Sequence, residues 1–435
     1  MPTANYKPTV LIVGAGLGGL MLGALLEKID VPYIIFERTS LIRPLGSAIS
    51  IGSPIIALFQ QLGIYDELIN SSLRYNYIAA HKENMEPYPL QDFTPLQEIT
   101  GHPQYIIARP VLYDLLLRQI PAHKILLKKR ILTISEDNDR VTIYAYDNTA
   151  YQGDILVGAD GAYSVVRQKF QVLTVRGSDL PYSWLVFTTA QSTCCWMVIR
   201  HLSKFTNKTA LEEKFSRINM NKEKNSEWGS HAAKQMCDET RDFRTPVKSD
   251  EDGFLSLGDL YDRTPQDRVS KVMLEEKVFE TWFYGRTVLM GDACHKVNPL
   301  GGQGATAAIH DALALTNLLY ALPSKTTADI KHLLTCYQDE RRPKAHATFK
   351  NSRLLSHVLR KDNVGKMARM VSTNMPTWMW RIFLAKAFGN RPQAGFLERV
   401  EVKGTGHVFS SPSMDKARAV FEEWKERMRV IHHSV

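Results

Sequence analysis

Residues 10–26 form an apolar run without a single charge, close to the length that crosses a membrane. Five of those seventeen positions are glycine (Gly14, Gly16, Gly18, Gly19 and Gly23). That density weakens a helix but suits a tight turn after a buried strand. The pattern therefore predicts a strand over 9–13, a turn over 14–19 and a helix over 20–29. A β-rich run over 31–37, ending in Glu37, completes a strand–helix–strand unit and opens a parallel sheet. Residues 105–119 read as an amphipathic helix introduced by Arg109 and Pro110, and 140–146 and 154–157 as further strands. The character changes over 179–280, where strand-like runs at 184–190 and 195–201 precede a polar, charge-mixed stretch reaching about 254. A buried strand returns at 287–290, a helix follows over 305–320, and the pattern beyond 326 is helical.

At 435 residues the chain is long enough for about two or three domains. Its 44% hydrophobic and 23% charged content is that of a globular protein, not of a disordered or fibrous one. The five cysteines (Cys194, Cys195, Cys237, Cys294 and Cys336) are odd in number and form no CxxC pair. This argues against a disulfide framework and a structural zinc site, and for a reducing, intracellular compartment. A net charge of +9 is compatible with nucleic acid, an anionic ligand or a membrane surface. No nucleic-acid-reading helix, finger or RNP-like string supports the first.

Three strings carry chemistry. Gly14-Ala15-Gly16-Leu17-Gly18-Gly19 matches GxGxxG between strand and helix, and Glu37 stands eighteen residues after its last glycine. The first glycine permits the turn, the second lets backbone approach a pyrophosphate, the third packs helix on strand, and a terminal acid accepts from a ribose. These residues alone leave NAD and FAD open. The second string, Gly158-Ala159-Asp160-Gly161-Ala162-Tyr163-Ser164-Val165-Val166-Arg167, directly follows the strand over 154–157. The third runs from Gly285 through Gly291-Asp292-Ala293-Cys294-His295 and Asn298-Pro299 to Gly301-Gly302-Gln303-Gly304, entering a helix that carries Asp311. It sets a carboxylate and several backbone amides around a second helix N-terminus, where a polyol chain and an electron-rich ring edge can be held.

With these three strings in order, roughly residues 8–350 resemble the single-component FAD-dependent monooxygenases of the aromatic-hydroxylase type, also called group A. Strings such as 43–49, 225–229, 258–260 and 271–277 resemble fungal members acting in specialised (secondary) metabolism. The resemblance implies an α/β fold: a glutathione-reductase-like, Rossmann-type FAD-binding domain over 8–178 and 281–350, an inserted mixed β-sheet substrate domain over 179–280, and a helical C-terminal region over 351–435. It implies FAD contacts at Gly14, Gly16, Gly19, Glu37, Arg38, Ser50, Arg109, Asp160, Asp292, Gly302, Gly304 and Ala305. Arg167, with Asp160, resembles residues serving FAD packing and docking of the nicotinamide cofactor. Two positions depart from the family pattern, His310 where an acid is common and Thr306 where asparagine is common, and the stretch between Arg167 and Trp184 is short.

The activity so implied uses NADPH or NADH and O2 to hydroxylate or epoxidise a hydrophobic small molecule (aromatic, polyketide or terpenoid-like) through a flavin C4a-hydroperoxide. No catalytic triad or metal cluster is required, and none is expected; His295 reads as a structural residue of the flavin turn. Strand alternation places Trp196, Val198 and Arg200 on one face, and Arg200 is the candidate catalytic residue. Two rival functions stay open at this point, an FAD-dependent reductase or dehydrogenase on the same fold and a non-catalytic flavin-binding protein. Residues 363–397 contain no acid but interleave Lys366, Arg369, Arg381, Lys386 and Arg391 with methionines and aromatics. This is a basic amphipathic surface, open to two readings: a helix lying on an anionic membrane, or a helix packed on the FAD domain with snorkelling cations. The expected location is cytoplasmic, peripheral to an intracellular membrane in the first case.

Overall fold

The computed structural model describes residues 7–42, 48–79, 81, 91–170, 182–187, 196–201, 234, 237–248, 253–264, 269–274, 276–299, 302–358, 362–409 and 411–433. Cys194, Cys195, Gly301, the string at 225–229 and most of the short stretch 168–184 lie outside the described residues. So do residues 43–47 and, within the charge-mixed stretch, residues 202–233.

The chain begins with β1 (Val10–Val13), α1 (Leu17–Glu27) and β2 (Tyr33–Phe36). Helix α1 starts three residues before the expected 20, so Gly18 and Gly19 lie inside it. Glycine's weak propensity is overridden there by packing. A Cβ at Gly19 would collide with the Gly14 carbonyl, and one at Gly18 would reach 3.0 Å from the Met290 side chain. Next along the chain come β3 (Ala48–Ile51), α2 (Arg109–Leu117), β4 (Ile125–Leu126) and β5 (Ile155–Gly158). The helix expected over 105–119 is preceded by a strand, Gln104–Ala108, which pairs antiparallel with β3. Pro110 fits the first turn of the helix, where its missing N–H leaves no hydrogen bond unmade, and so marks the helix start here.

Strands β6 (Tyr182–Phe187), β7 (Trp196–His201) and β8 (Ser270–Leu274) form an antiparallel sheet of their own, Arg200 opposing Ser183 in register. The last pair, β9 (Phe283–Tyr284) and β10 (Thr287–Leu289), rejoins the first sheet. That six-stranded sheet runs in the order β9-β10-β5-β1-β2-β4 and is parallel except at β9. Its central strands β1 and β5 are apolar throughout and buried on both faces: Gly23 of α1 packs on Ile35 on one side, and on the other the Tyr151 ring, on the strand Ala150–Gly153, meets Phe36 with centroids 4.7 Å apart.

After this sheet come α3 (Gly304–Tyr320), α4 (Thr327–Val358), α5 (Asn363–Thr373), α6 (Thr377–Phe388) and α7 (Pro412–His433). Helix α3 packs on α1, and both belong to the one large hydrophobic core. Helix α4 is tied to the sheet by Tyr337, whose hydroxyl donates to the Leu289 carbonyl at 3.1 Å, and to α7 by Glu340, which accepts from Ser411 Oγ and the Ser413 amide, both at 2.7 Å. Among the described residues no helix is long and apolar enough to cross a membrane.

Candidate flavin-binding site

The carboxyl ends of β1 and β5 adjoin, so the first two sequence strings become one structure. Gly14 adopts φ +108°, and a Cβ there would lie 2.5 Å from the Ala159 carbonyl oxygen. Only glycine combines that dihedral with that contact. Glu37 leaves β2 toward the same turn: one carboxylate oxygen accepts from the Ala15 amide at 3.0 Å, the other from the Thr39 amide and hydroxyl at 2.9 Å each. The acid expected at a ribose thus also braces the glycine turn. Arg38 beside it is exposed.

Arg109 opens α2 and donates to the Tyr113 hydroxyl at 3.4 Å, one helical turn on. That hydroxyl lies 4.0 Å from where a Gly16 Cβ would be, so α2 brings Arg109 to the mouth of the first turn. Its Nε is buried and has no hydrogen-bond partner among the described residues. A guanidinium with an idle buried donor, next to a helix N-terminus, fits an anionic ligand.

Asp160 caps the short helix after β5, one oxygen accepting from the amides of Val165 at 2.7 Å and Val166 at 3.3 Å. Burial raises its pKa, and its other oxygen is buried with no partner among the described residues. Arg167 then crosses to the third string. Its guanidinium donates to the carbonyls of Ala293 at 2.7 Å and Ala162 at 2.6 Å and lies over the Phe279 ring at 4.1 Å. In this structure it clamps the second loop to the third.

The third string is built round a buried carboxylate. Asp311 on α3 accepts from the Gly291 amide at 2.9 Å, contacts His295 Nε2 at 2.5 Å and accepts from Arg341 Nε on α4 at 2.8 Å. Burial alone would raise its pKa; the charges of His295 and Arg341 outweigh it and hold the group at about 2. Cys294, His295 and Asp311 offer donor atoms within 4.8 Å of one another, but both Asp311 oxygens are already engaged, so the cluster reads as a hydrogen-bonded network. His295, expected to be satisfied by backbone, has the Asp311 carboxylate as the partner of its Nε2 instead. The network shapes the turn that leaves Asp292 exposed.

Beyond it, Gly302 at φ +61° turns the chain into α3, whose first residues Gly304 and Ala305 have no side-chain cap. The leading amides of a 17-residue helix therefore face outward with its positive dipole end. Ser50 on β3 lies across from them, its Cβ 3.5 Å from where a Gly302 Cβ would be and its hydroxyl 2.7 Å from the Tyr75 hydroxyl.

Gly14, Gly16, Arg109 and Asp160 are thus brought to one end of the sheet, while Ser50, Gly302 and Gly304 adjoin one another at the N-terminus of α3. Arg200 lies on β7, and its side chain lies outside the described residues. Two supporting residues were missed in the sequence. Tyr113 stands four residues after Arg109 on the same helix face, a signal available beforehand. Arg341 sits in Asp339-Glu340-Arg341-Arg342, which reads as solvated surface and gives no such signal.

Residues 7–352 match the family model described as FAD binding domain. The chain belongs to this family. The FAD-dependent monooxygenase penM of Penicillium crustosum is 29% identical over 381 residues, 82% of this chain and 79% of that protein. The FAD-dependent monooxygenase ptmM of Penicillium ochrochloron is 28% identical over 393 residues, covering 82% and 90%. These relatives bear out the expected kinship with fungal enzymes. Among solved structures, HpxO of Klebsiella pneumoniae, complexed with FAD and uric acid, superposes with a TM-score of 0.66 at 18% identity, covering 87% of this chain and 96% of that one. The 2,6-dihydroxypyridine-3-hydroxylase of Arthrobacter nicotinovorans gives 0.60 at 15% identity, covering 81% and 93%. The fold is that of an FAD-binding oxidoreductase.

Proposed function

We propose that the protein is a single-component FAD-dependent monooxygenase that takes electrons from NADPH or NADH and inserts one oxygen atom of O2 into a hydrophobic aromatic, polyketide or terpenoid-like molecule. The observation that carries the cofactor reading is the Arg167 clamp, which joins the loop lining the first glycine turn to the loop beside the second. One ligand with an anionic pyrophosphate at one end and a polar ring edge at the other suits that pair. FAD, when bound, supplies the redox and oxygen-transfer chemistry. The chain's own residues bind and orient. Gly14, Gly16 and Gly19 give the pyrophosphate access to the α1 amides, Glu37 and Arg38 take the adenosine side, and Arg109 supplies charge to the phosphate. Asp292 accepts from the ribityl chain, and Ser50, Gly302, Gly304 and Ala305 border the ring. Asp160 positions the loop on which Arg167 acts.

In this reading the FAD-binding domain spans 8–178 and 281–350, the substrate domain spans 179–280, and 351–435 form a helical appendage. Arg200, on the substrate sheet, anchors a phenolate or carbonyl of the substrate. The enzyme works in the cytoplasm, peripheral to an intracellular membrane through 363–397, where a lipophilic substrate is concentrated. Substrate-dependent O2 uptake by the FAD-loaded protein with NADPH, followed for an oxygenated product, tests the function. Reduction of a substrate without O2 uptake would favour a reductase, and bound FAD with no nicotinamide oxidation a non-catalytic flavin protein.

A further inference from the structure

The two sides of α6 differ in what they meet. Its inner side is packed: Leu384 and Phe388 are buried with Phe93, Leu96 and Ile99, and Trp380 donates its indole N–H to the Asp92 carbonyl at 2.5 Å. Its outer side leaves Trp378 62% and Ile382 61% exposed. Helix α5 carries Met367 and Met370, each 66% exposed, with Val364 and Val371 also in solvent. At 100° per residue the four α5 positions fall within one 120° arc, while Gly365 on the other side is buried. Such large side chains, grouped on consecutive helices and left in water, mark a surface that meets something apolar.

Charge identifies the partner. Lys366 and Lys386 are exposed on the same two helices, and no acid occurs between 363 and 397. Three of the five cations found in the sequence are spent internally. Arg391 is buried on the carbonyls of Thr100, Lys403 and Gly406, Arg381 pairs with Glu98, and Arg369 donates to the Val358 carbonyl. The remaining lysines flank apolar side chains. A second copy of the chain docking by two-fold symmetry would bring lysine against lysine with no acid from this segment to pair them. Anionic lipid offers phosphate and carboxylate to the lysines and acyl chain to Met367, Met370, Trp378 and Ile382.

We propose that the outer faces of α5 and α6 form a docking surface for an anionic membrane. The proposal deepens and rests on the membrane-peripheral part of the function given above. Behind that surface the inner side of α6 leads toward the site: Trp380 contacts Phe93, Phe93 contacts Tyr75 with ring centroids 6.0 Å apart, and Tyr75 reaches Ser50 beside Gly302. Docking there sets the flavin turn a few side chains away from the lipid.

The test is flotation of the FAD-loaded, full-length protein with vesicles of phosphatidylcholine alone and of phosphatidylcholine with phosphatidylserine, without substrate, so that its outcome is independent of whether the enzyme turns over. The wild type is expected to float with the anionic vesicles and not the neutral ones. Lys366→Gln with Lys386→Gln should weaken that partitioning about 30-fold at low salt, and Met367→Glu with Trp378→Glu should abolish it, bound FAD being retained in both. Equal recovery on both vesicle types, unchanged flotation of the apolar variant, or a wild-type dimer that the apolar variant converts to monomer without any lipid binding would each overturn the proposal.

Discussion

The turn before α1 and the turn before α3 both place glycine at a helix N-terminus, but for opposite reasons. At the first, glycine is demanded by atoms already there: a side chain at Gly14 or Gly19 would strike the Ala159 or Gly14 carbonyl. At the second, among the described residues, a Cβ on Gly304 would meet nothing nearer than Val297 at 3.7 Å, an ordinary contact. Glycine keeps room at α3 that the described residues do not fill. The first turn is therefore a packing element whose failure is a folding failure. The second leaves open space and is stabilised from behind, through Asp311, His295 and Arg341.

The largest effect that would expose this difference is at Gly19. Gly19→Val should prevent α1 from seating on β1, with loss of soluble protein as well as of bound flavin, read as expression yield and absorbance. Asp311→Asn comes next. It removes the charge facing a buried Arg341, which should cost about 3–5 kcal/mol. Thermal or denaturant unfolding measures it, and a loss below about 1 kcal/mol would mean that the network does not support the turn.

Acid should strain the same region. His310 is buried and held neutral, its Nε2 on the Pro54 carbonyl at 2.9 Å; burial, then the charge of Arg341, depresses its pKa to about 3. The unfolded chain takes up this proton near pH 6.5 and the folded one only near 3, so stability falls as pH is lowered through that window and is restored above it. Unfolding free energy against pH should show this slope in the wild type and a shallower one in His310→Gln. Asp311, with its pKa lowered to about 2, loses its contribution only below about pH 4, separating the two limbs. The smallest effect is expected from Gly304→Ala. The fold should be unchanged or stabilised by up to about 1 kcal/mol, because alanine is the better helix former. Flavin affinity, measured by fluorescence titration, should nevertheless weaken. An equal loss of stability and affinity would erase the contrast between the turns.

Much of this was legible in the sequence because glycine and charged residues at fixed spacing have few structural uses. Gly14, Gly16 and Gly19 announced a strand and a tight turn, and the sheet is parallel where they required it. The start of α1 was read late because helix propensity counts Gly18 and Gly19 against a helix, while tertiary packing onto Gly14 and Met290 decides their place. Arg341 and Tyr113 were missed because their roles arise from long-range pairing, with Asp311 thirty residues away and with the turn at Gly16, and no local pattern encodes either. The apolar outer faces of α5 and α6 were visible as methionine and tryptophan among cations. Which cations were free was not, since the bonds of Arg381 and Arg391 to Glu98 and to the carbonyls of Thr100 and Lys403 exist only in the folded chain.

In the proposed function the two turns hold one FAD whose oxygen chemistry is directed at a hydrophobic molecule. It is tested most directly by incubating the FAD-loaded protein with NADPH, isotopically labelled O2 and a panel of phenolic and prenylated compounds, and weighing the products. Incorporation of a single labelled oxygen atom, lost in Arg109→Gln protein that no longer retains FAD, is the predicted result. A protein that cannot be loaded with FAD, or a product whose new oxygen comes from water, would contradict it.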